Sequence, residues 1–134
     1  MITVVNAHPR RRFSSAAAKQ LAGKVLKGEK KRAKELCVVF TNHRLMRRIN
    51  KKFLGHDYAT DVIAFLLDAD PGIEGEVYVN LDKAREQSAE QRTTMMDETR
   101  RYIVHGVLHL CGWRDKTLAA KKWMSKREDV YLER

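Results

Sequence analysis

Two apolar runs near the middle of the chain, TDVIAFLL and GEVYVNL, are separated only by the turn-forming stretch DADPGIEG. So short a link permits an antiparallel hairpin, whereas parallel neighbours need a long crossover, usually a helix. The upstream half supplies such crossovers. ITVVN reads as a first strand and ELCVVF as a second, joined by a helix through AAAKQLAGKVLK that Ser14 caps and the polar GEKKR ends. Strand, helix and strand in that order imply a right-handed crossover between parallel neighbours. Asn42 then caps a second helix, after which TDVIAFLL is expected as a buried strand.

The remainder is helical: DKAREQSAE, a long helix opened by the capping pattern Thr94, Met95, Met96, Asp97, and a final helix after Thr117. With 134 residues, 43% of them hydrophobic, the chain has material for one core and not two. Residues 1–134 are therefore expected to form a single α+β domain around a mixed, mostly parallel four-stranded sheet packed with helices.

Two cysteines, Cys37 and Cys111, lie in separate apolar stretches without Cys-x-x-Cys spacing, which argues against a disulfide scaffold or a cysteine zinc ribbon. A reducing, cytoplasmic setting is expected. The start, MITVVNAHPRRRF, lacks the long apolar core and small-residue cleavage site of a signal peptide, and no apolar run approaches membrane-spanning length.

The formal net charge of +10 makes a polyanion the natural partner, because Lys and Arg displace counterions from phosphates. In NHRLMRRINKKF the charge is organised. Arg44, Arg47, Arg48, Lys51 and Lys52 share one helical face, while Leu45, Met46, Ile49 and Phe53 take the opposite one. Five like charges on a stripe repel one another, which an anionic ligand such as a nucleic acid relieves, although a solvated face also carries such charges.

The long helix ends in HGVLHLCGWRD. His105 and His109 are four apart, so both imidazoles leave the same face and can bind one ion. Gly112 falls where the helix should end and can take the left-handed conformation that turns the chain back, making Asp115 a third candidate ligand. Val104, Val107, Leu108 and Cys111 fall off the histidine face and are expected to pack. His-x-x-x-His-x-x-Gly-x-x-Asp has the spacing of the metzincin pattern, three ligands and one open position. Peptidases of that kind carry a glutamate base directly after the first histidine, and here that residue is Gly106.

The run HGVLHLCGW resembles the signature HGxLHLxGYDH of the YbeY family, bacterial rRNA maturation factors and single-strand-specific metallo-endoribonucleases. INKKFLGHDYATDVIAF resembles the family segment LNxxYRGxDxPTDVLSF at Asn50, Gly55, Asp57, Thr60, Asp61, Val62 and Phe65, and GEVYV resembles its GDIxI strand. The resemblance implies one zinc ion held by three side chains, hydrolysis of an RNA phosphodiester, and a role in 3′ end maturation of small-subunit rRNA and ribosome quality control. His105 and His109 match the first two ligand positions, and Asp115 stands where the family has a third histidine. Zinc accepts carboxylate oxygen, and Asp115 is preferred to Asp57, Asp61 or Glu76 because it alone sits at the motif spacing.

A second departure is Leu54, where the family carries an arginine associated with activity; Arg44, Arg47, Arg48 and His56 are the nearby replacements for that charge. Thr60 and Asp61 either support the site or cap a strand, and Glu76 is either a pocket acid or a surface charge. Trp113 either stacks on a base or packs. Trp123, with Val130 along an amphipathic terminal helix, is expected to pack, and Met95 and Met96 to fill gaps near their helix start. No residue is assigned as catalytic base. Two rival classes remain: a metallopeptidase, and a non-catalytic ribosome- or RNA-binding factor with a structural zinc, which would need a fourth ligand.

Overall fold

The computed structural model describes residues 1–134. The elements, in chain order, are β1 (Ile2–Asn6), α1 (Ser15–Gly28), β2 (Ala33–Thr41), α2 (His43–Leu54), β3 (Val62–Asp68), β4 (Ile73–Asn80), α3 (Leu81–Gln91), α4 (Met95–Leu110) and α5 (Leu118–Leu132). One four-stranded sheet runs in the order β1-β2-β4-β3, parallel from β1 through β2 to β4, with β3 antiparallel against β4. The mixed, mostly parallel sheet and the β3–β4 hairpin follow the sequence reading.

Helix starts are set by side-chain oxygens that accept otherwise unpaired backbone N–H groups. Ser14, Asn42, Thr94 and Thr117 cap α1, α2, α4 and α5 by accepting from Ala17, Leu45, Asp97 and Ala120. Asn80, which the sequence reading passed over, does more. Its Oδ1 accepts from the backbone N–H groups of Asp82 and Lys83 to start α3, while its Nδ2 donates to the Thr60 carbonyl at 3.1 Å. Fully buried, it ties the entry of β3 to the exit of β4.

The main core lies on one face of the sheet. Leu36, Val38 and Phe40 of β2 and Val77 and Val79 of β4 meet Val25 of α1, Ala84 of α3, Val104, Val107 and Leu108 of α4 and Met124 of α5. Only α2 covers the other face, with Met46 and Ile49 against Ile63, Phe65 and Tyr78.

Several expectations are corrected by this packing. TDVIAFLL is an edge strand and not a buried one: β3 pairs only with β4, and Leu66 and Leu67 are 49% and 66% exposed. β1 and β2, joined through α1, are parallel neighbours as expected, but α2 leads to β3, which lies beyond β4 and runs against it. Phe53 leaves the docked face of α2 and sits at its margin, edge-on to Phe65. Met96 is exposed, and only Met95 fills a gap. Trp123 and Val130 are 62% and 57% exposed, because α5 buries Met124, Glu128, Tyr131 and Leu132 instead.

Candidate metal centre

The three candidate ligands selected from the sequence converge. α4 crosses the sheet so closely that a Cβ on Gly106 would sit 2.4 Å from Val77 Cγ1 and 3.1 Å from Val62 Cγ1. The next position after His105 is thus turned into the sheet, and the imidazoles of His105 and His109 emerge on the free side. At the helix end Gly112 has φ +103°, Gly112 N–H donates to the His109 carbonyl and Trp113 N–H to the Leu108 carbonyl. This is a Schellman ending, which a glycine enables. It folds the chain back so that Asp115 Oδ2 lies 3.3 Å from His105 Nε2 and 3.4 Å from His109 Nε2, with 3.0 Å between the two nitrogens.

The donor set fits a small cation. His109 Nδ1 donates to the Trp113 carbonyl at 2.9 Å, and His105 Nδ1 donates to Glu128 Oε2 at 2.6 Å. Each acceptor fixes the ring tautomer and leaves Nε2 as a lone pair facing the site. Two lone pairs and a carboxylate oxygen pointed at one another repel unless a cation lies among them. Tetrahedral zinc with bonds of about 2.0–2.1 Å places its ligands roughly 3.3 Å apart, the separation these atoms have. His105, His109 and Asp115 could therefore hold a metal ion, and no fourth His, Cys, Asp or Glu donor joins them. Burial pushes the nearby Cys111 thiol up to about 11, so it stays neutral and outside the group.

Glu128 is the residue that sequence reasoning missed. Buried on α5, it accepts from His105 and also from Arg101 Nη1 at 2.7 Å, while Arg101 Nη2 donates to Asp129 at 2.6 Å. Burial of the His105 ring works against its protonation. The hydrogen bond and charge of Glu128, with the charges of Asp115 and Asp61, outweigh that and raise its pKa. The only local signal in the sequence is an acid on the last helix, with nothing to pair it to a histidine twenty-three residues earlier.

A cleft of about 490 Å³ opens beside the group, walled by Asn50 and Leu54 of α2, the loop residues His56, Tyr58 and Thr60, strand β3, and the turn Gly112–Arg114. Asn50 Nδ2 donates to the Tyr58 carbonyl at 2.9 Å and holds that loop in place. Leu54 occupies the cleft wall where a cation was sought. The basic side chains that line it are Arg114, which the sequence reading did not single out, and His56.

The basic stripe stands elsewhere. Arg44, Arg47, Arg48, Lys51 and Lys52 are all exposed on α2, as expected, but none lines the cleft. Arg47 is engaged: its Nε and Nη2 donate to the two oxygens of Asp57 at 2.7 and 3.2 Å, and this hydrogen bonding lowers the Asp57 pKa. Asp57 is therefore an arginine partner and stands outside the group that could hold a metal. Asp61 caps the start of β3, accepting from Val62 N–H at 2.7 Å and from the Thr60 hydroxyl. Glu76 lies among Phe53, Phe65 and Leu67, away from the metal group. Trp113 packs against the core and its indole N–H donates to Glu29 at 2.7 Å. Glu29 is also held by Arg127 and Tyr131 of α5, which anchors the turn whose carbonyl orients His109.

The family model described as Endoribonuclease YbeY matches residues 3–134. Curated proteins named Endoribonuclease YbeY are similar throughout. That of Salinibacter ruber is 38% identical over 140 residues, covering 98% of this chain and 89% of its own. That of Chloroherpeton thalassium is 42% identical, covering 81% and 77%, and that of Chlorobium phaeobacteroides is 46% identical, covering 70% and 68%. A solution structure of a Thermotoga maritima protein superposes with a TM-score of 0.70 at 26% identity, covering 99% of this chain and 87% of the other. With a family match over nearly its full length and relatives this similar, the chain belongs to the YbeY family.

Proposed function

We propose that residues 1–134 form a single zinc-dependent endoribonuclease domain that cuts single-stranded rRNA in the cytoplasm, in 3′ end maturation of the small ribosomal subunit and in ribosome quality control. Family membership carries the coarser part, a nuclease that hydrolyses phosphodiester bonds. The observation that favours metal dependence is the set His105 Nε2, His109 Nε2 and Asp115 Oδ2, three electron-pair donors within 3.4 Å of one another.

The roles of the side chains follow. His105, His109 and Asp115 would hold the ion; Glu128 and the Trp113 carbonyl keep the two Nδ1 protons in place. When bound, zinc supplies Lewis acidity toward a phosphoryl oxygen and makes water a stronger acid. Arg114 and His56 offer positive or donor groups to a phosphate in the cleft. The stripe of Arg44, Arg47, Arg48, Lys51 and Lys52 draws the strand toward α2 through the sequence-independent attraction of phosphates. No helix is long and apolar enough to cross a membrane.

The peptidase reading loses further ground, because a glutamate at position 106 would run into Val77. The structural-zinc reading lacks its fourth ligand. The test is metal analysis of the purified protein coupled to cleavage of a labelled single-stranded rRNA fragment before and after chelation. Cleavage that chelation abolishes and zinc restores is the expected result; metal-free protein with full activity would refute the proposal.

A further inference from the structure

Adjoining the cleft at the Gly112–Arg114 turn is a second hollow, of about 550 Å³, lined by Cys111, Gly112, Trp113, Arg114, Ala120 and Trp123. It shares Gly112, Trp113 and Arg114 with the cleft, so a strand leaving the metal group by way of Arg114 enters it directly. No carboxylate lines it. The nearby acid Glu29 is already engaged by Trp113, Arg127 and Tyr131.

Trp123 is the unusual member. α5 buries Met124, Tyr131 and Leu132, yet it presents its largest apolar side chain to solvent at 62% exposure. Lys126 Nζ lies 5.1 Å from the indole ring centroid, so a cation already occupies the neighbourhood of the aromatic face. Ala120, one turn earlier, is too small to close the hollow. An exposed aromatic ring with flanking cations, continuous with a phosphodiester-cleaving centre, has the composition of a platform for single-stranded nucleic acid. There bases stack on the ring and phosphates meet the cations.

We propose that this hollow is a subsite for a nucleotide of the RNA substrate beyond the metal group from α2, with Trp123 as the stacking platform and Arg114 and Lys126 as phosphate contacts. The proposal rests on the endoribonuclease reading above and adds the path of the strand: from the basic stripe, across the cleft, over the Gly112–Arg114 turn and onto α5.

The test is fluorescence anisotropy of the metal-loaded protein with a labelled single-stranded oligouridylate carrying phosphorothioate linkages to slow cleavage. Trp123→Ala should weaken binding by about fivefold to one-hundredfold, the usual loss of one base–aromatic stack, and Trp123→Phe should recover most of it. An oligomer with abasic sites throughout should bind the parent and Trp123→Ala alike. Lys126→Ala should lower the magnitude of the salt slope by about 0.7 unit, the value for one phosphate contact to a single strand. Circular dichroism checks folding, which the exposure of Trp123 leaves undisturbed. A parent that binds the oligouridylate and a folded Trp123→Ala that binds it equally well would overturn the subsite alone. A metal-loaded parent that binds no single-stranded RNA would overturn both the subsite and the endoribonuclease reading.

Discussion

Removal of the Glu128 carboxylate tests the centre most directly, because Glu128 touches no proposed substrate and meets the metal group only at His105. The bond is 2.6 Å and the side chain 7% exposed, so water cannot replace the lost acceptor without a rearrangement of α5 against α4. Outer partners of metal-bound histidines are typically worth 10- to 100-fold in metal affinity, about 1.4–2.7 kcal/mol. Glu128→Ala should fall in the upper part of that range. Glu128→Gln, which keeps an acceptor but no charge, should fall near the lower end. Arg101 retains Asp129 at 2.6 Å in either variant, so no cation is left unpaired in the interior. Asp129→Ala, which touches Arg101 but not His105, is the control. Competition with a chromophoric zinc chelator measures the affinities. Without metal, the raised His105 pKa gives a further sign: the His105–Glu128 ion pair stabilises fully below the ordinary histidine range, and its contribution is lost as pH rises through the raised value. Thermal melts of chelated protein across that range should show the loss in the parent and a smaller one in Glu128→Ala, where only the charges of Asp115 and Asp61 remain. Equal zinc affinity in the parent and a folded Glu128→Ala would refute the orienting role.

Asp115→Ala should lose zinc affinity by on the order of tenfold or more, while Asp115→His retains the metal and moves the activity profile to lower pH, because a neutral ligand leaves the site more positive; chelator competition and a pH–rate profile read the pair. Leu54→Arg should raise turnover on single-stranded RNA by placing a cation in the cleft wall, and unchanged turnover with metal and fold intact would assign that charge to another residue. Gly106→Ala should cost about 1–3 kcal/mol by urea unfolding, since its methyl group would overlap Val77 Cγ1, and a variant as stable as the parent would contradict the close crossing of α4. Reversing Arg47 and Lys51 to Glu should weaken RNA binding and flatten its salt dependence, whereas Asp57→Asn, which frees Arg47, should strengthen it; filter binding at several salt concentrations separates the two.

The convergence of His105, His109 and Asp115 was legible in the sequence because it is local. His105 and His109 share a face through the helical period alone, and Gly112 returns Asp115 to them through a turn whose geometry one glycine sets. The sheet was legible for a similar reason: short loops force antiparallel pairs, and Ser14, Asn42, Thr94 and Thr117 mark helix starts through their own side chains. Everything contributed from a distance was not. Glu128 meets His105 only because α5 docks on α4, and the Arg114 side chain reaches the cleft only once the turn has formed. β3 became an exposed edge because β4 took the place beside β2, an ordering that hydrophobic runs alone do not encode. α5 has so weak an apolar stripe that packing, and not periodicity, decided which side it buries; that choice left Trp123 in solvent and put Glu128 behind the histidine. Local spacing thus brought together the atoms that could hold a metal, while the dense packing of separate elements determined what holds those atoms in place and which surfaces remain open around them.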